Sequence, residues 1–105
     1  MMTVREISLD ELRSRDGGAV VLDVRSPDEF AQGHVPGAVN LPLDDLPQAA
    51  PRFAGQDVVT VCQAGGRSAM AAQVLDAAGA RAWSLTGGTQ AWLQAGHPVE
   101  RGATR

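Results

Sequence analysis

Apolar residues fall into short blocks along the chain, and the blocks have two characters. "AVVLDV" (19–24) and "VVTV" (58–61) are nearly continuous apolar runs rich in β-branched residues. Runs of that length without a polar face predict strands covered on both sides. "ARAWSL" (80–85) predicts a further strand, Thr3–Ile7 a short first one, and Ala38–Leu41 a short one within "HVPGAVNLP" (34–42).

Between these runs the period changes to that of a helix. Ser8 is placed to cap a helix through Arg13, with Glu11 completing a capping box. Ser26, Pro27 and Glu29 repeat the signal, and Gly33 ends that helix. "LDDLPQAAPRF" (43–53) predicts a helix broken by Pro47 and Pro51. Ser68–Ala78 predicts an alanine-rich helix with Ala71, Val74, Leu75 and Ala78 on one face and Gly79 as its stop. "TGGTQAWLQAG" (86–96) predicts a turn and a short helix ending at Gly96, and Asp16-Gly17-Gly18 another turn.

Strands and helices alternate, and no Asn-Gly type hairpin joins neighbouring strands. The fold class expected is therefore α/β, with a parallel sheet and helices on both faces. The chain has 105 residues, the size of one domain. Its core is expected over about 4–100, with 101–105 as a frayed tail.

Composition narrows the chemistry. The net charge is −3 and no basic run appears, which argues against nucleic acid as a partner. All nine basic residues are arginine, so a positive charge at a site comes from arginine, histidine or backbone N–H groups. Alanine, glycine and arginine in place of lysine fit a GC-rich bacterial coding sequence. The first eighteen residues mix charges and lack an apolar stretch, so neither a signal peptide nor a membrane span is expected there. One cysteine excludes an intrachain disulfide, a CxxC pair and a four-cysteine zinc site, and a reducing cytoplasmic setting fits.

That cysteine is the residue to explain. Cys62 directly follows a buried strand, at the edge of the sheet where open α/β folds bind ligands. Gln63, Ala64, Gly65, Gly66 and Arg67 then lead to Ser68, the expected start of a helix. A helix N-terminus offers unpaired N–H groups and partial positive charge. The two glycines allow the positive φ angles that make N–H groups converge. Arg67 adds a full charge. Together these favour an ionised thiol over an inert buried one.

"CQAGGRS" (62–68) resembles the active loop of rhodanese-like sulfurtransferases, C-x-x-G-x-R-S. "LDVRSPDEF" (22–30), "GHVPGAVNLP" (33–42) and "LTGGTQAW" (85–92) resemble further motifs of that family, in order and spacing. The resemblance implies a three-layer α/β/α domain. It implies sulfur transfer through a Cys62 persulfide, with a small anionic sulfur donor and a thiol, protein or cyanide acceptor. It assigns the persulfide cradle to Gln63–Ser68 and donor binding to Arg67. No metal or organic cofactor is required, because the sulfur travels on the cysteine. A monomer is expected.

Two other readings stay open beside it. Such a domain also serves as a non-catalytic or sulfur-carrying module that binds a protein partner. A cysteine phosphatase uses C-x5-R, whereas this loop is C-x4-R and leaves less room for a phosphoryl group. The loop also lacks the C-G-[ST]-G-V pattern associated with mercaptopyruvate, which favours thiosulfate or a persulfide as donor.

Asp23 and Arg25 lie on opposite sides of Val24 near a strand end. The resemblance makes them supports of the site, and the residues alone suggest a structural ion pair. His34 is expected to bond backbone, His97 has no assigned role, and Trp83 and Trp92 are packing residues. Asp44-Asp45, and Glu6 with Asp10, read as solvated faces.

Overall fold

The computed structural model describes residues 4–15 and 17–102. Strand β1 (Arg5–Ile7) leads into helix α1 (Leu9–Ser14), and β2 (Val20–Asp23) into α2 (Pro27–Gln32). Strand β3 (Val39–Asn40) is followed by α3 (Leu46–Ala49), flanked by single 3-10 turns over Leu43–Asp45 and Ala50–Phe53. Then come β4 (Asp57–Val61), α4 (Gly66–Ala77), β5 (Arg81–Leu85) and α5 (Gly88–Gln94). The five strands are all parallel, in the order β1-β5-β4-β2-β3.

The expected α/β class with a central parallel sheet is what the chain adopts. Both capping boxes form: Ser8 with Glu11, and Ser26 with Glu29. The 43–53 segment differs in detail. Pro47 and Pro51 sit in the first turns of α3 and the second 3-10 turn, where a missing N–H costs nothing, so they begin elements rather than break one. Thr3 and Asp16 lie outside the described residues. The tail expected to fray from residue 101 is bonded at its first two residues. Gly102 N–H donates to the Ala31 carbonyl at 2.9 Å and Arg101 Nε to the Gln32 carbonyl at 3.2 Å.

Successive side chains of β4 alternate between two cores. Val58 and Cys62 belong to the cluster under α3 and α4, with Leu22, Val24, Leu46, Ala71, Ala72 and Leu75. Val59 and Val61 belong to the cluster on the other face, with Ile7, Phe30, Val35, Leu85 and Trp92. A strand buried on both faces explains the uninterrupted apolar run. The same alternation aims Cys62 toward α4.

Candidate active site

Cys62 is the first residue after β4 and is 2% exposed. The chain turns at Gly65, whose φ of +128° admits glycine readily, and α4 begins at Gly66. The helix thus opens two residues before the expected Ser68. The turn is correspondingly tighter, and Ser68 lies inside the first helical turn with its side chain buried.

This tightness brings donors onto the sulfur. Gly65 N–H donates to Cys62 Sγ at 3.0 Å. Ser68 Oγ is 3.5 Å from Sγ, and the N–H groups of Ala64 and Ser68 also bear on it. Burial pushes the thiol up, but these hydrogen bonds together outweigh it and hold Cys62 below its ordinary value.

Ser68 Oγ is the centre of a small hydroxyl network. It donates to the Gly65 carbonyl at 3.0 Å and lies 2.6 Å from Ser84 Oγ on β5. Ser68 has one proton, and the Gly65 carbonyl can only accept it. Ser84 must then donate to Ser68. When the thiol ionises, Ser68 can turn its proton to Sγ while Ser84 still supports it. A lone serine within a strand, such as Ser84, carries no sequence signal of its partner.

Helix α5 closes the loop from the other side. Thr89 N–H donates to the Cys62 carbonyl at 2.9 Å and Gln90 N–H to the Gln63 carbonyl at 3.0 Å. A Cβ at Gly88 would press into those same two carbonyl oxygens. The Gly87-Gly88 pair therefore does more than turn the chain: it lets the α5 N-terminus clamp the cysteine loop. The double glycine at the head of a helix was the available signal.

Arg67 is paired with a carboxylate of α2. Its Nη1 and Nη2 donate to Glu29 Oε1 and Oε2 at 2.7 and 3.0 Å. The Arg67 bonds hold the Glu29 carboxyl at about 2 against the opposing effect of burial, with the capping bonds of Ser26 helping. The Arg67 charge is in turn stabilised first by Glu29, and also by the charges of Cys62 and Asp23.

Asp23 and Arg25 form the buried ion pair that the residues alone suggested. Arg25 Nη2 is 2.7 Å from Asp23 Oδ2, and Nε spans both carboxylate oxygens. The pair is also tied to the loop, because Arg25 Nη1 donates to Gln63 Oε1 at 3.2 Å. Gln63 and Ala64 are otherwise exposed at the rim. His34 bonds the Phe30 carbonyl through Nδ1 at 2.8 Å and stacks on the Phe30 ring, as its backbone-binding assignment anticipated. Trp92 packs in the core and donates Nε1–H to the Pro98 carbonyl, while the Trp83 ring carries the guanidinium groups of Arg5 and Arg15, each 4.7 Å from its centroid.

The family model described as "Rhodanese-like domain" matches residues 8–95. The chain belongs to the rhodanese-like family. The rhodanese-related protein of Thermoplasma volcanium has a similar structure, with a TM-score of 0.85 at 30% identity over 91% of this chain and 97% of that one. Thiosulfate sulfurtransferase 16, chloroplastic, of Arabidopsis thaliana is 38% identical over 75% of this chain and 78% of that protein. The uncharacterized protein slr1261 of Synechocystis is 39% identical over 93% of this chain. This rhodanese-like chain spans only 55% of that relative's length. Among the described residues, no helix is long and apolar enough to cross a membrane.

Proposed function

We propose that this rhodanese-like domain transfers a sulfane sulfur through a persulfide on Cys62. The observation that carries the reading is the sulfur's own surroundings. Its donors are fixed N–H and O–H groups arranged by the tight turn Cys62–Gly65 and the first turn of α4, so the thiolate needs no solvent shell.

The cycle is a double displacement. The Cys62 thiolate attacks the outer sulfur of thiosulfate. The sulfur–sulfur bond of the donor breaks, and sulfite leaves with its electron pair. Cys62 then carries a persulfide, whose terminal sulfur takes up the N–H groups of the loop. An acceptor thiol, or cyanide, attacks that terminal sulfur, and Cys62 departs as thiolate. A persulfide donor serves in place of thiosulfate by the same displacement. Gln63–Ser68 supply the cradle, Arg67 with Glu29 sets the charge at the mouth, and Asp23 with Arg25 holds Gln63. No metal or organic cofactor enters.

A phosphatase reading has less support. The loop is one residue shorter than C-x5-R, and its arginine is held by Glu29 instead of closing over an oxyanion.

The test is thiocyanate formation from thiosulfate and cyanide, with Cys62→Ser as the control. The hydroxyl is nearly isosteric and cannot form a persulfide, so the variant should be folded and inactive. Retention of even about a tenth of the activity would remove Cys62 as the carrier.

A further inference from the structure

Thr60 is the polar residue inside the run "VVTVC" (58–62), and it is fully buried. A buried hydroxyl is costly unless it is bonded. Strand alternation puts Thr60 on the same face of β4 as Val58 and Cys62, the face under α4.

Thr60 Oγ1 lies 2.7 Å from the Ser68 carbonyl and 3.2 Å from the Trp83 carbonyl. Its single proton goes to the nearer of the two, on Ser68. Ser68 sits in the first turn of α4, where its carbonyl has a helical partner four residues on. The Thr60 bond therefore rescues no stranded carbonyl. It ties the start of the helix to the strand that carries the cysteine. Valine at this position would have the same shape and an equal preference for a strand, and would lack only that tie.

The residue tied down is the one that serves the sulfur. Ser68 Oγ is 3.5 Å from Cys62 Sγ, and the Ser68 N–H bears on it as well. In the β4–β5 register Thr60 stands beside Ser84, whose hydroxyl is 2.6 Å from Ser68 Oγ. Two hydroxyls on neighbouring strands thus grip Ser68 at two atoms, Thr60 at the carbonyl and Ser84 at Oγ. Ser68 cannot turn away from Sγ without breaking one of these bonds.

We propose that Thr60 is a positioning residue for sulfur transfer, its hydroxyl anchoring the Ser68 carbonyl to β4 and so fixing the Ser68 donors against Cys62 Sγ. The proposal rests on the sulfurtransferase reading for the use made of the thiolate, and adds a residue that acts only through Ser68. Donors already in place stabilise the attacking thiolate without reorganisation. They serve again in the second displacement, when the acceptor takes the terminal sulfur, the bond to Sγ breaks and Sγ keeps its electron pair.

The test separates the hydroxyl from the methyl. Thr60→Val removes the hydroxyl, Thr60→Ser removes the methyl, and Thr60→Ala removes both. The readout is the pH midpoint of Cys62 alkylation by a neutral reagent on sulfur-free protein, with the melting temperature of each variant. Arg67, the charged group that bears on the thiolate, is the same in all four proteins. T60V should raise the midpoint by about half a pH unit, or threefold in the ionisation constant. T60S should keep the wild-type midpoint even though the lost methyl lowers its melting temperature. T60A should share the raised midpoint of T60V, which preserves the comparison if valine is not accommodated. Wild-type midpoints in T60V and T60A would overturn the proposal. An equal rise in T60S would overturn it too, because the methyl and its packing would then be responsible. Alkylation needs no sulfur donor, so the two levels fail separately. Wild-type protein that forms no thiocyanate sinks the sulfurtransferase reading, whereas an unmoved midpoint in T60V sinks only the role of Thr60.

Discussion

The Arg67 guanidinium lies against the Glu29 carboxylate in a two-bond fork, Nη1 to Oε1 at 2.7 Å and Nη2 to Oε2 at 3.0 Å. The pair joins the start of α4 to the first turn of α2 across the mouth of the cysteine loop. A dianionic donor arriving there meets a cation whose charge is already shared. Both side chains are more than a third exposed, so the pair is worth little to stability and matters chiefly for the charge it presents.

Glu29→Gln should therefore lower the KM for thiosulfate by a few fold. Glutamine at this position still completes the Ser26 capping box, so the helix start is kept and only the charge changes. Arg67→Ala should do the opposite, leaving Glu29 as an unpaired anion beside the donor. Steady-state kinetics with thiosulfate and with an uncharged donor distinguishes the two. If E29Q left the thiosulfate KM unchanged, Arg67 would be a loop strut without a part in donor binding.

The same pair predicts an acid-dependent term in stability. The Glu29 carboxyl is held at about 2 in the folded protein, below its ordinary value of 4.5. A depressed value means that the contribution is complete above the ordinary value and fades as pH falls toward about 2. The stability difference between wild type and E29Q, measured by denaturant unfolding, should shrink over that range. A difference that stayed constant would mean the pair does not shift the Glu29 equilibrium.

Cys62 should ionise below an ordinary cysteine, read by the pH dependence of alkylation with a neutral reagent on sulfur-free protein. Burial opposes this shift and the hydrogen bonds of Ser68, Gly65 and Ala64 drive it. Ser68→Ala should raise the midpoint. Ser84→Ala should raise it as well, by less, because Ser84 acts through the Ser68 hydroxyl at 2.6 Å. An S84A midpoint identical to wild type would reduce Ser84 to packing.

Gly88→Ala should cost activity and stability together. The added methyl meets the Cys62 and Gln63 carbonyls, so α5 must back away from the loop it clamps. The expected destabilisation is about 1–3 kcal/mol. Gly96→Ala is the comparison, since a Cβ there meets open space and only the positive φ is strained. Equal effects of the two substitutions would mean that backbone strain, not the clamp, accounts for the loss.

Asp23→Ala should unfold the chain more readily than any of these, by about 3–5 kcal/mol, because it strands the Arg25 guanidinium in the interior. Thermal unfolding checks it. A loss under about 1 kcal/mol would mean that Arg25 finds other partners or water.

The strands, the two capping boxes and the position of Cys62 at the end of β4 were legible in the sequence, because each follows from local rules. A run such as "VVTV" has no polar face to expose, and Ser-x-x-Glu closes on itself within one turn. The partners of the cysteine loop obey no local rule. Glu29 stands 38 residues from Arg67, Ser84 stands 16 from Ser68, and Thr89 reaches back to Cys62 across β5. Parallel pairing of β4 with β5 and β2 brings their ends to one edge, and only that edge decides which distant hydroxyl, carboxylate or N–H group meets the cysteine loop. Residue spacing placed a thiol at a helix start. The packing of distant segments around it determined that its arginine is shared with Glu29 and that the Ser68 hydroxyl beside the sulfur is backed by Ser84.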